Sequence, residues 1–211
     1  MKRTKARRER NSQKSKEDIL KAAEIKFAEK GIYGTRVDDI AEAANINKRM
    51  LYEYFGNKEE LYRAVLVEVY SRLSKQEMIL LSEDMCCIDA MKRIIKLYFD
   101  FLKNNPTYVN LILWENLNKG EYIKDIDFSG IKDPVFNLFR KVINKGKEDG
   151  VFRSDIDTEQ VILSLLTYSF AYFSNRYTLT KLLGMKLDTE ESIKKRVETV
   201  TEMFLCYLCI E

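Results

Sequence analysis

The chain has 211 residues with 45% apolar content, 33% charged residues, two prolines, four cysteines and no histidine, at a net charge of +3. That composition is ample for a core and points to an all-helical protein. The missing histidine excludes a Ser-His-Asp triad, a Cys-His nucleophile and imidazole metal ligation, so neither an enzyme nor a metal or cofactor protein is expected. No run approaches the ~20 apolar residues of a membrane span, and no charged-then-apolar leader opens the chain, which makes the cytoplasm the expected compartment.

Residues 1–15 read as a basic flexible arm. Through residue 16 there are eight Lys/Arg against Glu9, a local charge of +7 that leaves the remainder at −4. Such concentration argues for contact with a polyanion. Ser15-x-x-Asp18 then opens a helix with Ile19, Leu20, Ala22, Ala23 and Phe27 on its apolar face, and Gly31 closes it. Val37, Ile40, Ala41 and Ala44 share one face of a second helix that Thr35 can cap. Met50, Leu51, Tyr54 and Phe55 repeat the rhythm after Asn45-Ile46-Asn47, where Asn45 suits a left-handed backbone and Asn47 can cap the third helix. This is a helix-turn-helix, whose second helix enters the DNA major groove.

Asn57-x-x-Glu60 starts a fourth helix, with Leu61, Val65, Val69 and Leu73 in register, running to about Leu80. Further helices are expected from Cys86 to Lys103, from Asn105-Pro106 to Gly120, from Asp133-Pro134 to Gly150, from Asp157 to Leu183, and from Asp188 to Leu208. Residues 121–132 are the least regular part. That makes about nine helices: a helix-turn-helix DNA-binding domain over 16–57 and a helical ligand-binding and dimerisation domain over 58–211. Cys206-x-x-Cys209 lies on an apolar stretch without a second CxxC, so core packing is expected for it.

Ile19-Leu20-x-Ala22-Ala23-x-x-x-Phe27-Ala28-x-x-Gly31, Thr35-x-Val37-x-x-Ile40-Ala41 and Lys48-x-x-Leu51-Tyr52-x-Tyr54-Phe55-x-x-Lys58-x-x-Leu61 together resemble the tetracycline-repressor (TetR) family. The match covers residues 16–65. Asn45 stands where that family usually has Gly, and Asn47 where Ser or Thr is usual. The resemblance implies a two-domain homodimeric transcriptional regulator, usually a repressor released from DNA by a small molecule.

On the third helix, Arg49 and Glu53 lie opposite Leu51. Arg can donate twice to guanine and Glu can accept from cytosine, while Met50 can touch a thymine methyl or pad the core. An ion pair between Arg49 and Glu53 is the competing reading. Lys48, Tyr52, Tyr54, Lys58 and Thr35 suit phosphates, Tyr54 having a second possible role as a core aromatic. In the C-terminal half, Tyr98, Trp114, Glu115, Phe139, Tyr168 and Tyr172 are candidate effector contacts, although an aromatic stripe at helical spacing is more often ordinary core. The last two helices carry apolar faces long enough for a homodimer reading a near-palindromic operator. The alternative is a helical small-molecule-binding or enzymatic bundle that keeps the helix-turn-helix only as a scaffold.

Overall fold

The computed structural model describes residues 2–81 and 85–210, with side chains from Ser12 onward. Ten α-helices and one 3-10 turn make up the described residues, with a single isolated bridge between Phe152 and Cys209. No described helix is long and apolar enough to cross a membrane.

Two compact units partition the chain. The first comprises Met1–Tyr70 and Asn110–Asp127, the second Ser71–Val109 and Phe128–Glu211. The division falls within α4 (Lys58–Leu81) and α6 (Pro106–Leu117), so each unit takes part of both helices.

In the first unit, α1 spans Lys2–Gly34 and breaks at Gly31, whose φ of 65° and ψ of 176° are non-helical. The helix expected from Ser15 therefore starts earlier, because the basic stretch before it holds good helix formers and no Gly or Pro. Of its expected apolar face, Ile19, Ala22, Ala23 and Phe27 are buried and Leu20 is half-buried. Helix α2 (Val37–Ala43) and α3 (Lys48–Phe55) flank Asn45, which takes a φ of 52°. The Asn47 carboxamide oxygen accepts from the Arg49 N–H at 2.8 Å and caps α3. Asn57 does the same for Glu60 at 2.7 Å at the start of α4.

Thr35 departs from expectation. The α2 N-cap is Arg36, with no side-chain cap bond, while the Thr35 hydroxyl is buried and turned back toward the Gly31 carbonyl at 2.7 Å and that of Lys26 at 3.0 Å. Carbonyls left orphaned where α1 breaks claim this hydroxyl.

In the second unit, α5 (Cys87–Asn104) is central. Ala90, Met91, Ile94, Ile95, Tyr98, Phe99, Phe101 and Leu102 are all buried, against α7 (Ser129–Glu148), α8 (Thr158–Ser174) and α10 (Glu190–Leu208). Each large side chain so buried contributes about 1.5–3 kcal/mol from apolar area. Three boundaries differ from expectation. Helix α7 begins at Ser129 because the Phe128 carbonyl accepts from Ile131 and Lys132, placing Pro134 inside the helix. The helix expected through Leu183 is two, α8 and α9 (Arg176–Leu183), since the Asn175 side chain donates to the Ala171 carbonyl and its backbone leaves the helix at φ −106°, ψ 8°. The α10 cap is Thr189 rather than Asp188, accepting from Ser192 at 3.2 Å. The cysteine expectation also fails: Cys206, in the last turn of α10, is exposed, and Cys209, its C-cap residue, is half-buried.

Candidate functional site

The outer face of α3 follows from the one residue that α3 buries. Leu51 is fully enclosed, and at 100° per residue this turns Arg49, Tyr52 and Glu53 to solvent, with Met50 and Tyr54 half-buried at the sides. Among the described residues neither Arg49 nor Glu53 forms an ion pair, so the competing i,i+4 pair is not made and both keep free hydrogen-bonding capacity. Guanidinium and carboxylate are the groups that match guanine and cytosine edges.

The phosphate candidates differ in readiness. Lys48 is tied to Asp38 of α2 at 2.9 Å, and that hydrogen bond raises its pKa above the ordinary lysine value. A phosphate would have to compete with Asp38, although both groups are well exposed and such a pair is weak. Tyr52 is exposed. The Lys16 ammonium lies 5.5 Å from the Tyr54 ring centroid, a cation–π contact between α1 and α3 that brings Lys16 next to Tyr54. Lys58 lies in the first turn of α4 and its ammonium reaches the Thr35 carbonyl at 3.4 Å. The Thr35 hydroxyl is committed inward and offers nothing to a phosphate. Of the basic arm, Lys2, Arg3, Lys5, Arg7, Arg8 and Arg10 lie outside the described side chains; Lys14 and Lys16 are within them.

The six effector candidates do not converge. Trp114 and Glu115 belong to the first unit and serve its packing. The Trp114 indole donates to the Ala28 carbonyl at 3.3 Å and lies over Gly31. One Glu115 oxygen accepts from the N–H groups of Tyr122 and Ile123 at 3.2 and 3.0 Å, fixing the turn at Ile123–Asp125. In the second unit, Tyr168 and Tyr172 line an open cavity of about 790 Å³ among α8, α9 and α10, with Leu179, Leu187, Lys195 and Arg196. Tyr172 already donates to the Leu187 carbonyl at 2.7 Å, and burial raises its hydroxyl above the usual phenol value.

Tyr98 and Phe139 meet elsewhere, with ring centroids 6.3 Å apart. Tyr98 donates to the Glu77 carboxylate, whose other oxygen pairs with the Lys132 ammonium at 2.7 Å. Burial, and then the Glu77 charge, push the Tyr98 hydroxyl well above the phenol range. Sequence reasoning missed Glu77 and Lys132. The signal for Glu77 was present: it continues the buried row Leu61, Val65, Val69, Leu73 one step further. Lys132 carries no such signal. The partnership of Asp38 with Lys48 was missed too.

Comparison with known proteins bears on both units. Residues 19–65 match the model for bacterial regulatory proteins, tetR family, and residues 88–204, over half of the chain, match the tetracyclin repressor-like C-terminal domain. The HTH-type transcriptional repressor NicS of Pseudomonas putida is 28% identical over 186 residues, covering 88% of each protein. The HTH-type transcriptional regulator RutR of Escherichia coli is 26% identical over 205 residues, covering 96% of this chain and 94% of RutR. Among solved structures, the fatty acid degradation regulator FadR of Bacillus halodurans superposes with a TM-score of 0.72 at 21% identity, over 90% of this chain and 94% of FadR. The ketosteroid transcriptional regulator KstR2 of Mycobacterium tuberculosis gives 0.69 at 20%, over 93% and 95%. At these identities the structural likeness speaks for the fold.

Proposed function

The chain belongs to the tetR family of bacterial regulatory proteins, a DNA-binding transcriptional regulator and not an enzyme, and from that premise we propose that it represses transcription until a small molecule releases it from its operator. The observation that carries the reading is the face of α3, where the Asn47 cap and buried Leu51 leave Arg49, Tyr52 and Glu53 free toward solvent. In the proposed complex Arg49 and Glu53 read base edges and Met50 touches a thymine methyl. Lys48, Tyr52, Tyr54 and Lys58 hold phosphates, and the basic arm of residues 1–15 adds backbone or minor-groove contacts. Repression is favoured because relatives such as NicS and the biofilm regulator IcaR of Staphylococcus aureus are named as a repressor and a negative regulator.

Residues 16–57 act as the reading head and 58–211 as the effector and dimerisation region. Leu163 of α8 and Met203 and Tyr207 of α10 stand 54%, 45% and 49% exposed, large apolar side chains suited to contact with a second copy. Two copies would present two α3 helices to the half-sites of a near-palindrome in the cytoplasm. Effector binding acts through α4 and α6, which contribute residues to both compact units, and lowers operator affinity through a coupling free energy between the two ligands.

Selection of bound sequences from random DNA tests this directly. A near-palindrome recovered by the full chain, with affinity falling steeply between two salt concentrations, is expected. Recovery of no shared sequence would remove the regulatory reading.

A further inference from the structure

The second unit holds a charged cluster in its interior that packing alone does not call for. Glu77 of α4 is 1% exposed, and its carboxylate receives Tyr98 of α5 and Lys132 of α7. Replacing such a pair by apolar residues is often neutral or stabilising, so a buried ion pair is weak evidence of a structural role. One turn before Glu77 on the same helix, the Ser74 hydroxyl is buried and finds no hydrogen-bond partner. A buried polar group of that kind costs free energy unless something completes it.

The two charges are not equivalent. Glu77 is sealed in, on a short stem. Lys132 is 12% exposed, sits in the first turns of α7, and approaches on a flexible four-carbon chain. Of the two, the ammonium is the one that can swing out to water. What it would leave behind is a carboxylate and the Tyr98 hydroxyl, with the Phe136 ring beside them and the unpartnered Ser74 hydroxyl three residues earlier on α4. Lys132 already uses that ring, its ammonium lying 5.6 Å from the Phe136 centroid. Carboxylate plus aromatic faces is the chemistry that receives an organic cation.

We infer that this cluster is the polar anchor of the effector site, and that the effector is a protonated organic amine that takes the place of the Lys132 ammonium on Glu77. The inference rests on the ligand-released reading above and gives it a ligand class. Lys132 acts as a built-in occupant, keeping the Glu77 charge compensated while the site is free of ligand. The incoming N–H groups donate to Glu77 and to Ser74, and the apolar body of the amine lies against the rings. The exchange is made on the helix whose first turn carries Lys58.

The test uses phenethylammonium as probe and phenylpropionate as the control of opposite charge, followed by ligand-observed NMR on the full chain. Wild type, Lys132→Ala and Lys132→Ala/Glu77→Gln are compared. Saturable binding of phenethylammonium to wild type is expected, tightened about tenfold or more in Lys132→Ala, where the competing ammonium is gone, and abolished in the double variant. Absence of binding to wild type, binding that phenylpropionate matches, or binding that survives Glu77→Gln overturns the inference. Should Lys132→Ala fail to fold with Glu77 unpaired, Lys132→Met/Glu77→Gln, which buries no lone charge, is set against wild type with the same criteria. Operator binding by wild type without amine is measured in parallel. Its failure removes the regulatory reading, whereas intact operator binding with no amine bound removes this inference alone.

Discussion

Gly31→Ala tests the geometry on which the reading head is mounted. The backbone there, φ 65° with ψ 176°, is a region essentially reserved for glycine, and forcing alanine into it costs ~1–3 kcal/mol. A second cost comes from the indole above it. A Cβ at residue 31 would lie 2.9 Å from Trp114 Cδ2 and 3.0 Å from Cε3, several tenths of an ångström inside ordinary contact. Trp114 cannot retreat freely, because its indole N–H is held by the Ala28 carbonyl. Overpacking of this kind costs ~1–3 kcal/mol, so the two together should destabilise by about 2–6 kcal/mol in urea unfolding. A double-mutant cycle separates the parts: with Trp114→Leu in place the steric share disappears and the backbone share persists, leaving a coupling of about 1–3 kcal/mol. A cost of Gly31→Ala below about 1 kcal/mol, or zero coupling, would refute this account of the α1 break.

Arg49→Ala should weaken specific operator binding by ~1–3 kcal/mol while sparing affinity for random DNA; equal losses in a competition gel shift would remove Arg49 from base readout. Asn47→Ala removes the cap on α3 and should cost ~1 kcal/mol of thermal stability, with Asn47→Ser restoring most of it; an unchanged melting temperature would contradict the cap. Leu163→Glu with Tyr207→Glu should convert a dimer to monomer in sedimentation at micromolar concentration, and a dimer that persists would place the interface elsewhere.

Local rules carried much of the architecture. The i, i+3, i+4, i+7 spacing of Val37, Ile40, Ala41 and Ala44 identified the face of α2 on which Ile40 and Ala41 are buried, because a short helix in a small unit has one side to hide. Asn45 and Asn47 took the expected roles because turn and cap chemistry acts over two or three residues. What escaped was set by partners distant in sequence or by competition for a single group. Thr35 could cap α2 or satisfy the end of α1, and only the fold decides between them. Trp114 and Glu115 look like pocket residues in the sequence, whereas the fold sets them against Ala28 and Tyr122. The Glu77–Lys132 contact spans 55 positions, and only the misplaced charge in the α4 apolar row hinted at it.

The outward turn of Cys206 gives this protein its own measuring point. With Cys86 replaced by serine, which can still accept at the α5 N-cap, Cys206 is the exposed thiol left among the described residues, Cys87 being buried and Cys209 half-buried. A nitroxide attached there needs no engineered cysteine and sits one residue from Tyr207. If two copies pack α10 against α10 at the usual helix spacing of ~8–10 Å, the two labels fall within the short range of pulsed electron resonance. The same pair of labels, followed as operator or amine is added, would report whether the contact between copies holds still or shifts when the protein lets go of DNA.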